Sequence, residues 1–230
     1  METRMIDVPG AGSAFVAHPG TPGPRPAVVV VHEAFGLNAH IRDVAQRIAA
    51  EGYLALAPDL FWRGGSGRTA GYDRLPLALQ MMGELTDDGV VGDVSAAIAW
   101  LAGQADVRPD RIGITGFCLG GRVSYLVACA VPERIAACVA FYGGGIPVER
   151  TPTLAAPVLA FFGDQDPFIP MDQVEQLRAA ATALGKTVEV VVYRGAPHGF
   201  FCNERDSYRP DAASDAWARL TGFFARHLKV

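Results

Sequence analysis

The chain has 230 residues, half of them apolar and 19% charged, with a formal net charge of −4. That length suits one α/β domain spanning 1–230 and suffices to bury about 70–75% of the unfolded surface, while the slight acidity gives no electrostatic reason to bind nucleic acid or an anionic membrane. Met1 to Met5 carries no apolar signal core and no apolar run reaches 18 residues, so the expectation is a cytoplasmic, monomeric protein whose partner is a small molecule.

In chain order, Thr3 to Val8 and Ser13 to Ala17 flank Pro9-Gly10-Ala11-Gly12 and read as an N-terminal hairpin. The Pro/Gly-rich run His18 to Pro26 leads into Ala27 to Val31, whose unbroken apolar character predicts a central parallel strand buried on both faces. Asn38 to Ala50 places Ile41, Val44, Ala45, Ile48 and Ala49 on one helical face, and Gly52 can end that helix. Tyr53 to Ala57 returns as a strand. Leu60 to Pro76, with five glycines or prolines and with Trp62, Arg63, Arg68 and Arg74, reads as a pocket-covering loop. Helices are expected over Asp93 to Leu101, from near Arg122, over Asp172 to Leu184 and over Ser214 to Leu228, and strands over Arg111 to Thr115, Pro157 to Phe162 and Val188 to Tyr193. This alternation predicts a doubly wound, mostly parallel α/β sheet with its active loops at the strands' carboxyl ends.

Cys118 lies in Gly116-Phe117-Cys118-Leu119-Gly120-Gly121, between a strand and a helix. A lone cysteine is ordinarily a core residue, but G-x-C-x-G at a strand-to-helix junction is the pattern of a nucleophile elbow, where small neighbours permit a strained turn. The helix N-terminus beneath it can favour a thiolate and an oxyanion in one place. Downstream, Gly163-Asp164-Gln165-Asp166-Pro167 closes one strand and Gly195 to Phe200, containing His198, closes the next. The order nucleophile, acid, histidine is that of the α/β-hydrolases. Asp166 is chosen over Asp164 as the histidine's partner because two residues are left for the turn off the strand, while Asp164 suits loop N–H groups. After Val31, the loop His32-Glu33-Ala34-Phe35-Gly36 stands where such enzymes supply the second oxyanion donor, so the N–H groups of Leu119 and Ala34 are the candidate oxyanion hole. Glu33 then sits beside the thiol.

The other cysteines show neither a disulfide framework nor zinc-ligand spacing, and no cofactor or metal is expected. Cys129 and Cys138 read as core residues, and Cys202 as a packing residue near the histidine loop.

These residues, together with Pro58-Asp59-Leu60, resemble the dienelactone hydrolase family, whose members include carboxymethylenebutenolidases, over nearly the whole chain. The resemblance implies an α/β-hydrolase fold, hydrolysis of a small ester or lactone, and a Cys118-His198-Asp166 triad with Glu33 holding the thiol at rest and assisting its deprotonation. Such an activator is needed, since a thiol of pKa about 8.5 is only a few per cent ionised at neutral pH. Members of the chlorocatechol route carry Ser and, three residues later, Arg after the histidine; here Gly199 and Cys202 stand in those places, and Arg205 lies out of register. Phe141 replaces the first Tyr of a Tyr-Tyr pair, leaving Tyr142. The residues expected to meet substrate are Phe35, Arg74, Tyr142 and Phe200, with Arg74 binding any carboxylate. The rival readings are a thiol redox enzyme or sensor, against which no resolving cysteine lies at short spacing, and a silent scaffold used for binding, against which all four catalytic positions are filled.

Overall fold

Strand β3 (Arg25–Val31) is buried along its whole length, as a strand covered by helices on both faces must be. Residues 1–229 are described in a computed structural model, and β3 is central in its eight-stranded sheet of order β1-β2-β4-β3-β5-β6-β7-β8. The hairpin of β1 (Glu2–Val8) and β2 (Gly12–His18) pairs antiparallel and joins β4 (Leu54–Pro58) antiparallel. All other pairings, among β3, β4, β5 (Val107–Phe117), β6 (Ala137–Phe141), β7 (Val158–Gly163) and β8 (Val188–Tyr193), are parallel. The chain leaves β3 to one side for β4 and returns on the other for β5. Loops leaving β3 and β5 therefore diverge at a topological switch point, where α/β sheets open a crevice at their carboxyl ends.

Helix α1 (Ala39–Ala50) begins at Asn38, whose side chain accepts the Ile41 N–H at 3.1 Å, and it buries the predicted apolar face. Three helices depart from the sequence expectation. Part of the expected covering loop continues into helix α2 (Leu75–Gly83), with Pro76 in its first turn, where proline's missing N–H is harmless. Helix α3 (Asp87–Ala102) starts six residues before the predicted Asp93, because Thr86 caps the Gly89 N–H at 3.1 Å and Asp87 and Asp88 occupy its first turn. Helix α4 (Leu119–Ala130) follows Cys118 directly, α5 spans Met171–Ala183, and α6 (Pro210–Leu228) begins four residues before the expected Ser214 at another first-turn proline.

Gly113 on β5 lets Phe224 and Leu228 of α6 approach closely; a Cβ there would collide with both. Behind the strand ends, Phe117, Phe141, Phe161 and Phe201 form a chain of rings with centroids 4.6–5.2 Å apart. This apolar wedge supports the loops that carry the site.

Candidate active site

Cys118 has φ 54° and ψ −115°, one of two non-glycine residues with positive φ among those described. Backbone strain of this kind costs on the order of 1–3 kcal/mol and persists only when the surroundings enforce it. Here the Cys118 N–H donates to Phe141 O at 3.0 Å and its carbonyl accepts from Gly121 and Arg122. A side chain on Gly120 would strike the Val31 and His32 backbone, and one on Gly121 would strike Phe141 and Gly143. The glycines thus allow the elbow to press against the ends of β3 and β6, leaving the thiol partly exposed above the sheet.

His198 and Asp166 come from the loops after β8 and β7. His198 Nδ1 and Asp166 Oδ2 are 2.7 Å apart, both largely buried, and Asp166 Oδ1 also accepts the Phe168 N–H at 2.8 Å. Asp164 instead accepts the Gly195 N–H at 2.6 Å and serves the loop. Burial pulls the His198 imidazole toward the neutral form, but its interactions with Asp166 and with Cys118 outweigh this and hold its pKa up at about 9. A proton on the imidazole is thereby favoured while it lies between a carboxylate and a sulfur.

The loop after β3 is fixed by His32. Its Nε2 accepts the Leu60 N–H at 3.1 Å, which requires the proton on Nδ1, and Nδ1 donates to Glu33 O at 2.6 Å. Burial lowers the pKa of His32, consistent with that neutral tautomer. Gly36, at φ 85°, donates to the same Glu33 carbonyl. Ala34 is held beside the elbow, and the Leu119 N–H, first in α4, has no acceptor within its helix.

Glu33 is fully buried, and burial raises its pKa against the opposing pull of Arg205, His198 and Tyr72. Its carboxylate turns to Arg205 Nη1, 3.3 Å from Oε1, and to the Tyr72 hydroxyl, 3.2 Å from Oε2, rather than bonding to the thiol. Tyr72 OH accepts from Asn38 Nδ2 at 3.0 Å and from Cys202 Sγ at 3.2 Å, leaving its single proton for Glu33. Cys202, whose thiol burial pushes up to about 11, is therefore a structural hydrogen-bond donor as well as a packing group.

Cys118 and His198 line a cavity of about 260 Å³ with Ala34, Phe35, Leu119 and Arg205; apolar walls come from α2 and from Phe168 and Ile169. Of the residues expected to meet substrate, Phe35 lines it. Arg74 does not: it caps α2 in an exposed position, and it is Leu75, the next residue, that lines the cavity. Tyr142 and Phe200 are fully buried behind the site, with the Tyr142 ring edge-on to His198 at 5.1 Å and to Phe200 at 5.3 Å. They support the histidine and lie behind the cavity wall. Arg63 and Arg68 are engaged elsewhere, by Asp93 and Glu84. Sequence reasoning missed Tyr72, Phe168 and the α2 leucines; a lone tyrosine between Gly71 and Asp73 in an otherwise polar loop was the one available signal.

The sequence profile of the dienelactone hydrolase family matches residues 13–228. The chain belongs to that family. It is 34% identical to a "Putative carboxymethylenebutenolidase" of Synechocystis sp. over 100% of this chain and 98% of that one, and 37% identical to a protein of the same description from Methylorubrum extorquens over 98% and 80%. A crystal structure described as a "Putative Dienelactone Hydrolase" from Klebsiella pneumoniae superimposes with a TM-score of 0.90 at 37% identity, covering 98% of each chain. The fold is thus that of the α/β-hydrolases and the chemistry that of a hydrolase of the dienelactone hydrolase type.

Against this family background, the departure after the histidine has a spatial counterpart. Gly199, at φ 75°, leaves open the space into which the Arg205 guanidinium is inserted; a Cβ at 199 would overlap it. Arg205 then stacks over Phe35 at 5.4 Å and Tyr72 at 5.5 Å while pairing with Glu33. The out-of-register arginine reaches the site because its predecessor in the loop has no side chain.

Proposed function

We propose that this chain hydrolyses a carboxylic ester or lactone through a thioester formed on Cys118. The observation that carries the reading is the strained Cys118 elbow facing His198, itself bonded to Asp166, within one apolar cavity. With the thiol proton already on His198 Nε2, the Cys118 sulfur attacks the carbonyl carbon, and the carbonyl oxygen takes the negative charge opposite the Leu119 and Ala34 N–H groups. On collapse, the C–O bond breaks and His198 returns its proton to the leaving alkoxide. A water then gives a proton to His198 and its oxygen to the thioester, releasing the acid and freeing the Cys118 sulfur with the proton on His198. Asp166 keeps Nδ1 protonated so that Nε2 faces the reaction.

Glu33 acts on this site indirectly. With its carboxylate held by Arg205 and Tyr72, the thiol is left to His198; a negative charge so near favours the imidazolium that receives the proton. Arg205 replaces Arg74 as the candidate for a substrate carboxylate, since it lines the cavity and makes only one contact to Glu33, at 3.3 Å.

The test is kinetic. Cys118→Ala should lower kcat by at least about 10³-fold in a folded protein, and Cys118→Ser should retain weak esterase activity. Near-normal turnover in Cys118→Ala would remove the nucleophile from the scheme.

A further inference from the structure

Of the eight large apolar side chains that stand exposed among the described residues, three line the cavity that holds Cys118: Leu75 (39%), Leu79 (49%) and Phe168 (60%). Apolar surface gathered at the mouth of a reactive cavity marks where a ligand excludes water. The three do not form one undivided wall. Leu75, Leu79 and Met82 follow one another at helical spacing on α2, and Met82 packs in the same cluster as Leu119 and Ala34, the candidate oxyanion side. Phe168 stands on the loop after β7, its ring edge-on to His198 at 5.2 Å and 86°. Its place is fixed from below, since its N–H is bonded to Asp166 and its neighbour Ile169 is buried.

The direction of the reaction gives these walls different tasks. His198 must hand its proton to the leaving oxygen, so the alcohol part of an ester leaves on the side of the imidazole, where Phe168 stands. The acyl part, whose carbonyl oxygen faces Leu119 and Ala34, extends toward α2. We propose that Phe168 is the residue that selects the leaving group, and that the preferred substrate is an ester whose alcohol part is aromatic and apolar, packed against the Phe168 ring. The inference rests on acyl transfer through Cys118 and adds to it a substrate class.

The test compares kcat/KM for 2-naphthyl acetate with that for trifluoroethyl acetate, an activated ester with a small alcohol part. Both deliver the same acetyl group, so hydrolysis of the acyl-enzyme is common and the ratio reports only the alcohol. In Phe168→Ala the naphthyl-to-trifluoroethyl ratio should fall about tenfold, the loss of roughly half a buried aromatic face, and Phe168→Tyr should restore it. A ratio equal to that of the unmodified enzyme, with both substrates slowed together, would make Phe168 a structural support of His198 and overturn the proposal. Turnover of both esters that survives Cys118→Ala would instead overturn the acyl-transfer reading, whatever the ratio.

Discussion

The guanidinium of Arg205 occupies the space that a side chain on Gly199 would fill, and from there it pairs with the buried Glu33. Gly199 and Arg205 lie in the same loop with five residues between them, so a cation is brought to the site by the removal of a neighbouring side chain. Arg205→Ala should therefore raise KM for a carboxylated lactone by about one to two powers of ten, the worth of a charge-assisted contact of roughly 1.5–3 kcal/mol, whereas Arg74→Ala should leave it within about twofold. Steady-state kinetics of both variants decide the matter. An effect confined to Arg74 would return the anion site to the tip of α2.

The proton on His198 is a second measurable consequence. The imidazole should titrate near pH 9 by NMR, and in Asp166→Asn, where burial is less opposed, its pKa should fall markedly. Because the folded value lies above the ordinary 6.5, His198 contributes stability that is fully present below about pH 6.5 and is lost as pH rises through about 9. Asp166→Asn should accordingly be less stable than the parent at pH 6, with the gap narrowing by pH 9.5, as followed by urea unfolding. A constant gap would mean that the His198–Asp166 pair is not protonated at neutral pH.

The Tyr72 hydroxyl joins three elements: Asn38 at the start of α1, Cys202 after the histidine loop, and Glu33. Tyr72→Phe deprives the half-buried Asn38 amide and the buried Cys202 thiol of their acceptor and Glu33 of a donor, so unfolding free energy should drop by about 1–3 kcal/mol. The retained ring keeps the packing on Phe35, centroids 4.7 Å apart, which separates this loss from a cavity effect. A change below about 0.3 kcal/mol would show that the hydroxyl network is not a fixed part of the site.

What the sequence disclosed follows a physical division. The β3 run and the face of α1 are local patterns of burial, and the glycines around Cys118 announce a close approach, one of whose partners, Val31, was already legible as a strand end. The start of α3 was hidden because Gly89 and Gly92 weaken the helical signal that the Thr86 cap restores. Helix α2 was concealed by Pro76, which punctuates loops and first helical turns alike. Arg205 was harder still, for its contact with Glu33 spans 172 positions and depends on the conformation of Gly199. Register along the chain identified the loop but could not tell which of its side chains folds back.

The proposed mechanism turns on one sulfur. Mixing the protein with an activated ester at low pH, where hydrolysis of a thioester is slow, quenching in acid and mapping the peptides by mass spectrometry should find a single acyl group on the peptide bearing Cys118, formed and discharged at the rate of turnover and absent in Cys118→Ala. Turnover without acyl accumulation even as deacylation is slowed, or an acyl group mapped to Cys202 or another residue instead, would contradict the assignment of Cys118 as nucleophile.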